Sequence, residues 1–143
     1  MTPKMLIIIM LLMVTTLFLT DGARMLIVKR ELQHSLNTAV TASITAAIDP
    51  APMRIKEDPR IDEDIMLDNL EFILSRSMKF KGSGPITVKV FSQSSSPPAV
   101  EVSAEVPVRS MMATFLSSFS SREEWIISAR AVAVYEAKSL ARP

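Results

Sequence analysis

Residues 5–19, Met5-Leu-Ile-Ile-Ile-Met-Leu-Leu-Met-Val-Thr-Thr-Leu-Phe-Leu19, contain no charge, no glycine and no proline, and only Thr15 and Thr16 interrupt the apolar run. A helix of this composition is apolar on every face, so packing one stripe against a water-soluble core does not account for it. At about 1.5 Å per residue the run reaches roughly 22 Å, short of the ~30 Å hydrocarbon layer of a bilayer. Continued through Thr20-Asp21-Gly22-Ala23-Arg24 into Met25–Val28, the apolar-dominated length becomes roughly 36 Å, enough to span with tilt. The segment is therefore either a membrane anchor or a cleaved signal peptide, and the remainder is a domain attached to it.

Working outward toward the N-terminus, Lys4 supplies the basic start that a signal peptide requires. The small-residue cleavage site is poor, because Asp21 stands where a small residue is wanted. Toward the C-terminus the pattern changes from uniformly apolar to striped. Met25, Val28, Leu32, Leu36, Ala39, Val40, Ser43 and Ala47 recur at spacings of mostly three and four, the signature of an amphipathic helix. Its far half is crowded with small residues, which permit close approach of another helix. Asp49-Pro50 ends the pattern, since a residue before proline is pushed out of the α region. The economical expectation is one helix from Met5 to about Ile48, roughly 65 Å long, with Gly22 as a soft point at the membrane boundary.

The run Asp21-Gly22-Ala23-Arg24-Met25-Leu26-Ile27-Val28-Lys29-Arg30-Glu31-Leu32-Gln33, followed by the Ala/Thr/Ser-rich residues 37–47, resembles the TadE/TadG-like pseudopilins of the tight-adherence (Flp) pilus. In that family an apolar helix is followed by an acidic residue, Gly, Arg, Leu, a basic pair, Leu-Gln and an alanine-rich helix. The matching positions are Asp21, Gly22, Arg24, Leu26, Lys29 with Arg30, and Leu32-Gln33. Members processed by prepilin peptidase carry a Gly before the cleavage point and a Glu five residues after it; Met1–Met5 has neither. The resemblance implies a single-pass protein of the bacterial cell membrane, N-terminus inside and C-terminal domain extracytoplasmic. It also implies other pilin-like or secretion-system subunits as partners, with room for a homo-oligomer. Helix packing in such an assembly points to Asp21, Gly22, Arg24, Leu32, Leu36 and Ala39.

Beyond the first helix, residues 49–60 hold three prolines with mixed charge and read as a linker. Residues 61–80 carry Met66, Leu70, Ile73, Leu74 and Met78 at helical spacing. Acids stand in the first turns and Arg76, Lys79 and Lys81 at the end, complementing the helix dipole, and Gly82 and Gly84-Pro85 stop it. Then the period becomes two, over Ile86–Phe91 and Val100–Val108, with a polar hairpin loop at residues 92–98. Pro107 cannot donate to a ladder, so the second strand ends there or lies at an edge. Residues 109–121, with Met111, Met112, Phe115, Leu116 and Phe119, form a short helix or flap that covers the sheet or touches a partner or membrane. Finally Trp125–Tyr135 alternates Ala129, Ala131 and Ala133 with larger residues, a strand whose small face can lie close under a helix. The expected fold is α+β: a long N-terminal transmembrane helix (1–48), a linker (49–60), and a small extracytoplasmic domain (61–143) in which a second helix packs on a three-stranded antiparallel sheet.

Composition argues against enzyme chemistry. The chain of 143 residues has no cysteine, one histidine and three glycines. Thiolate chemistry, a histidine metal cluster and a glycine-rich phosphate loop are thereby excluded. No cofactor is expected, and a net charge of +1 gives no electrostatic footprint for nucleic acid. Asp62-Glu63-Asp64 reads as a dipole-compensating helix start and not a metal site, His34 as a surface residue, and the serine runs as loops. Asp21 and Arg24 are the positions of interest. At i,i+3 they can pair on one helix face, or both can sit in the headgroup region where the helix leaves the bilayer. The expected function is structural, a Tad/Flp-like subunit. The alternative is a small secreted or periplasmic binding domain released from a cleaved signal peptide.

Overall fold

The computed structural model describes residues 2–48, 61–79, 82–95, 98–115 and 124–134. The first helix, α1 (Pro3–Ala47), runs unbroken for 45 residues. Pro3 at its first turn costs no hydrogen bond, because the N–H it lacks has no partner inside the helix. The helix is continuous through Gly22, so the expected soft point is not a break. An isolated bridge between Ile48 and Ile61 then closes the connection, whose linker residues 49–60 lie outside the described residues.

The second helix, α2 (Glu63–Ser77), starts where Asp62 accepts from the Ile65 N–H at 3.2 Å. It ends at Met78, before the expected stop at Gly82. Two ties define its course. Asp62 N–H donates to the Ala47 carbonyl at one end, and Lys79 N–H donates to Glu31 Oε1 at the other. α2 therefore runs back antiparallel along the outer half of α1, contributing Met66, Leu70 and Leu74 to a shared core.

The sheet is antiparallel in the order β1 (Thr87–Ser95), β2 (Pro98–Arg109), β3 (Glu124–Val134). Two expectations about it are corrected. The strands continue through most of the polar segment expected to be a loop, Ser95 pairing with Pro98, with a register shift between Val90 and Ser92. β2 is the central strand and continues past Pro107 to Arg109. Proline is tolerated there because β1 has run out: its last partner is Glu105, opposite Thr87. The Pro107 carbonyl instead accepts from Ser83, from its N–H at 2.8 Å and its hydroxyl at 3.1 Å, so this position is locally an edge. A side chain at Gly82 would meet the Pro107 carbonyl at 2.4 Å, which makes glycine the residue that fits the approach.

One face of the sheet is covered. Val100, Val102, Ala104, Val106 and Val108 of β2 and Ile127, Ala129 and Ala131 of β3 are buried with Val28, Leu32, Leu36, Ala39, Val40 and Ile44 of α1. Alanines on both surfaces let α1 lie close over β3, the role expected of that strand's small face. The outer half of the long helix is thus the central element of the domain core. Residues 116–123 and Tyr135, part of the expected flap and the end of the expected third strand, lie outside the described residues.

Candidate functional site

The composition change along α1 positions one polar site. From Met5 to Val14, and at Phe18 and Leu19, the large apolar side chains are 37–69 % exposed on all sides of the helix. Asp21, two residues on, is only 6 % exposed. Its carboxylate meets the segment that follows β2. Oδ2 accepts from the Ser110 hydroxyl at 2.6 Å and from the Met112 N–H at 2.8 Å, while Oδ1 accepts from the Met111 N–H at 3.0 Å. Ser110 Oγ in turn accepts from the Ala113 N–H at 3.0 Å. Asp21 and Ser110 together cap the first turn of the short helix α3 (Met111–Phe115), satisfying amides that have no partner within the helix. Burial alone would raise the Asp21 pKa. The hydrogen bonds from Ser110, Met112 and Met111, with the Arg24 guanidinium nearby, outweigh it and hold the carboxyl below its ordinary range.

The other positions singled out in the sequence fall into two groups. Leu32, Leu36 and Ala39 have no exposed surface and are consumed by the chain's own core. Gly22 is exposed, and a Cβ added there would meet nothing within 4 Å. Arg24 is half-buried beside Asp21 and acts on it through charge, and Ser110, Met111 and Met112 donate hydrogen bonds to the same carboxylate. Ser110 is a partner that the sequence did not advertise: it lies 89 positions away, in no recognisable motif.

Elsewhere the arrangement offers little chemistry. Asp62 serves as a helix cap, with Glu63 and Asp64 exposed in the first turn. His34 is exposed, and its carbonyl accepts from the Thr38 hydroxyl. Among the described residues no group of three His, Cys, Asp or Glu is placed to hold a metal ion. An open groove of about 530 Å³ between α2 and the start of β1 is lined by Phe72, Leu74, Ile86 and Val88, with Asp68 and Glu71 at its side. On the uncovered sheet face Arg130 pairs with Glu101 at 3.2 Å and lies over the Phe91 ring.

α1 is long and apolar enough to cross a membrane. No family model, curated protein or solved structure matches the chain.

Proposed function

We propose that this chain is a single-pass membrane protein without a catalytic role, a structural or assembly subunit of a Tad/Flp-like pilus or secretion apparatus. Residues 3–20 span the bacterial cell membrane and the α+β domain lies on its outer side. Pilin-like subunits and further copies of the chain are the partners. One observation carries the anchoring: from Met5 to Leu19 α1 is apolar on every face and exposed but for half-buried Leu17, then it buries one stripe from Asp21 onward. Exposed apolar surface on all sides is stable only where the surroundings are themselves apolar, in lipid or against other such helices. At about 1.5 Å per residue, residues 3–20 cover roughly 27 Å, close to the hydrocarbon thickness. The pilus-type role rests on the resemblance of residues 21–47 to TadE/TadG-like proteins.

The released-domain alternative meets a specific obstacle. Cleavage near Ala23 would remove Asp21 and leave Ser110 and two amides of α3 without their acceptor.

The test is to express the full chain in a bacterial host, extract membranes at alkaline pH, and measure the intact mass. A photo-crosslinker replacing Ile9 then captures neighbours in the membrane plane. The proposal expects an extraction-resistant chain retaining residues 3–20 and cross-links to single-pass pilin-like subunits or to itself. A soluble product beginning near Ala23 or Arg24 would overturn it.

A further inference from the structure

The end of the sheet nearest Asp21 carries large apolar side chains that the fold leaves uncovered. Trp125 is 56 % exposed and Ile126 71 %, on β3; Met111 is 48 % and Phe115 55 %, on α3; Leu26 and Ile27 of α1 are 61 % and 56 %. Three separate elements thus present apolar groups at one end of the domain. Concentrated exposure of this kind marks a surface that meets something.

Their height can be measured along α1. Asp21 holds residues 110–112, which follow directly on Arg109, and Arg109 pairs with Glu124. Trp125, opposite Val108, is one residue further along, about 3.3 Å. A second tie fixes the direction: Gln33 Nε2 donates to the Arg130 carbonyl at 2.7 Å. From Asp21 to Gln33 the helix advances about 18 Å, and from Glu124 to Arg130 the strand advances about 20 Å. Helix and strand therefore run alongside each other, and a depth assigned to Asp21 applies to the sheet end too. With residues 3–20 filling the hydrocarbon layer, the next roughly 5–8 Å of α1 lie at headgroup level. Trp125 and Ile126 fall in the same layer.

We infer that this end of the domain is a lipid-contacting base, in which Trp125, Ile126, Met111 and Phe115 seat in the headgroup layer of an anionic bilayer beside the point where α1 emerges. The inference rests on the reading of residues 3–20 as a membrane span. Tryptophan suits this layer because its ring is apolar while its indole N–H can be hydrated. The charge beside it suits anionic lipid: Lys29 and Arg30, both exposed, stand on α1 roughly one turn above Leu26. The Asp21–Ser110 contact acquires a purpose in this arrangement, since it fixes α3 against α1 at the membrane surface.

Trp125 is the chain's single tryptophan, so its fluorescence reports this base without substitution. The full chain is reconstituted into vesicles of phosphatidylcholine and phosphatidylglycerol containing lipids brominated at shallow or deep acyl positions. The expected result is blue-shifted emission, quenched more by shallow than by deep bromines and shielded from aqueous iodide. Emission at the wavelength of hydrated indole, quenched by iodide and indifferent to brominated lipid, would overturn the inference if the chain still resists alkaline extraction. Blue-shifted emission insensitive to bromine in either position would also overturn it, by showing that protein and not lipid covers the base. If instead the chain is released by alkaline extraction, the anchoring itself fails and the inference falls with it.

Discussion

The two parts of α1 obey different rules although no break in the helix separates them. Residues 5–19 are apolar but for Thr15 and Thr16 and exposed but for half-buried Leu17, whereas residues 21–47 alternate a buried stripe with exposed Lys29, Arg30, His34, Asn37, Thr38 and Thr41. The first part has the composition that suits a uniform apolar solvent, where no face is distinguished. The second is written for water on one side and a sheet on the other, so its pattern carries the period of the helix. Under the proposed anchoring, the same backbone element serves as anchor and as core. A force on residues 3–20 would reach the domain through helical hydrogen bonds and not through a flexible linker.

The largest effect expected from this division is on folding, and it belongs only to the outer part. Leu36 and Leu70 are fully buried, so Leu36→Ala or Leu70→Ala removes about 2–5 kcal/mol of stability. Leu12→Ala, 65 % exposed in the chain before substitution, leaves the thermal unfolding of the detergent-solubilised domain unchanged. Equal losses from Leu12→Ala and Leu36→Ala would erase the distinction. The converse perturbation is Leu12→Arg, which places a charge at mid-span at a cost of about 2.5–3.5 kcal/mol on insertion scales. It should reduce membrane retention and leave the unfolding of the domain as it was.

A smaller effect sharpens the boundary itself. Asp21→Ala leaves the Ser110 hydroxyl and two amides without their acceptor, a loss of about 1–3 kcal/mol. In double-mutant cycles Asp21 should couple more strongly to Ser110 than to Arg24, because the hydroxyl bonds the carboxylate directly. Stronger coupling to Arg24 would return the site to a pair within one helix. The Asp21 carboxyl is depressed below its ordinary value of 3.8. Between its folded pKa and 3.8 the unfolded chain holds more protons, so stability rises with pH there and is fully present above it. As pH falls through the folded pKa that contribution is lost, and Asp21→Asn should flatten this part of the acid unfolding profile.

Least of all should be Ser43→Ala. Ser43 is fully buried and its hydroxyl finds no hydrogen-bond partner among the described residues. Removing it should leave stability unchanged or slightly increased, and a loss of more than about 1 kcal/mol would mean that this hydroxyl has an unseen partner.

The two longer helices and the strands of this fold were legible because each has a clean period, whereas the segment holding α3 read only as a short helix or a flap. The stripe from Val28 to Ala47 at three and four, the stretch from Met66 to Leu74, and the alternation around Ala129 and Ala131 all state which face is buried. What the periods do not state is which buried faces meet. The sequence offered no way to learn that α1 itself roofs β3, because helix and strand meet through contacts far apart in the chain, such as Gln33 to Arg130 at a separation of 97. Pro107 misled for a related reason. Its missing N–H is a constraint on one side of a strand, and whether that side is occupied depends on where β1 begins. Asp21 stood out as an acid following an apolar run, but its partners are a serine and two backbone amides, groups that carry no sequence signature.

The division of α1 can be read directly by cysteine accessibility, since the chain has no cysteine of its own. Leu11, Phe18, His34 and Thr41 are all exposed in the folded chain, so protection at any of them must come from the surroundings and not from the core. Single-cysteine variants at these four positions are treated in sealed membranes with an aqueous maleimide presented from the side of the domain. The account predicts that the cysteines replacing His34 and Thr41 react fully, and that those replacing Leu11 and Phe18 remain unmodified until the membrane is dissolved in denaturing detergent. Equal reactivity at all four positions in intact membranes would contradict it.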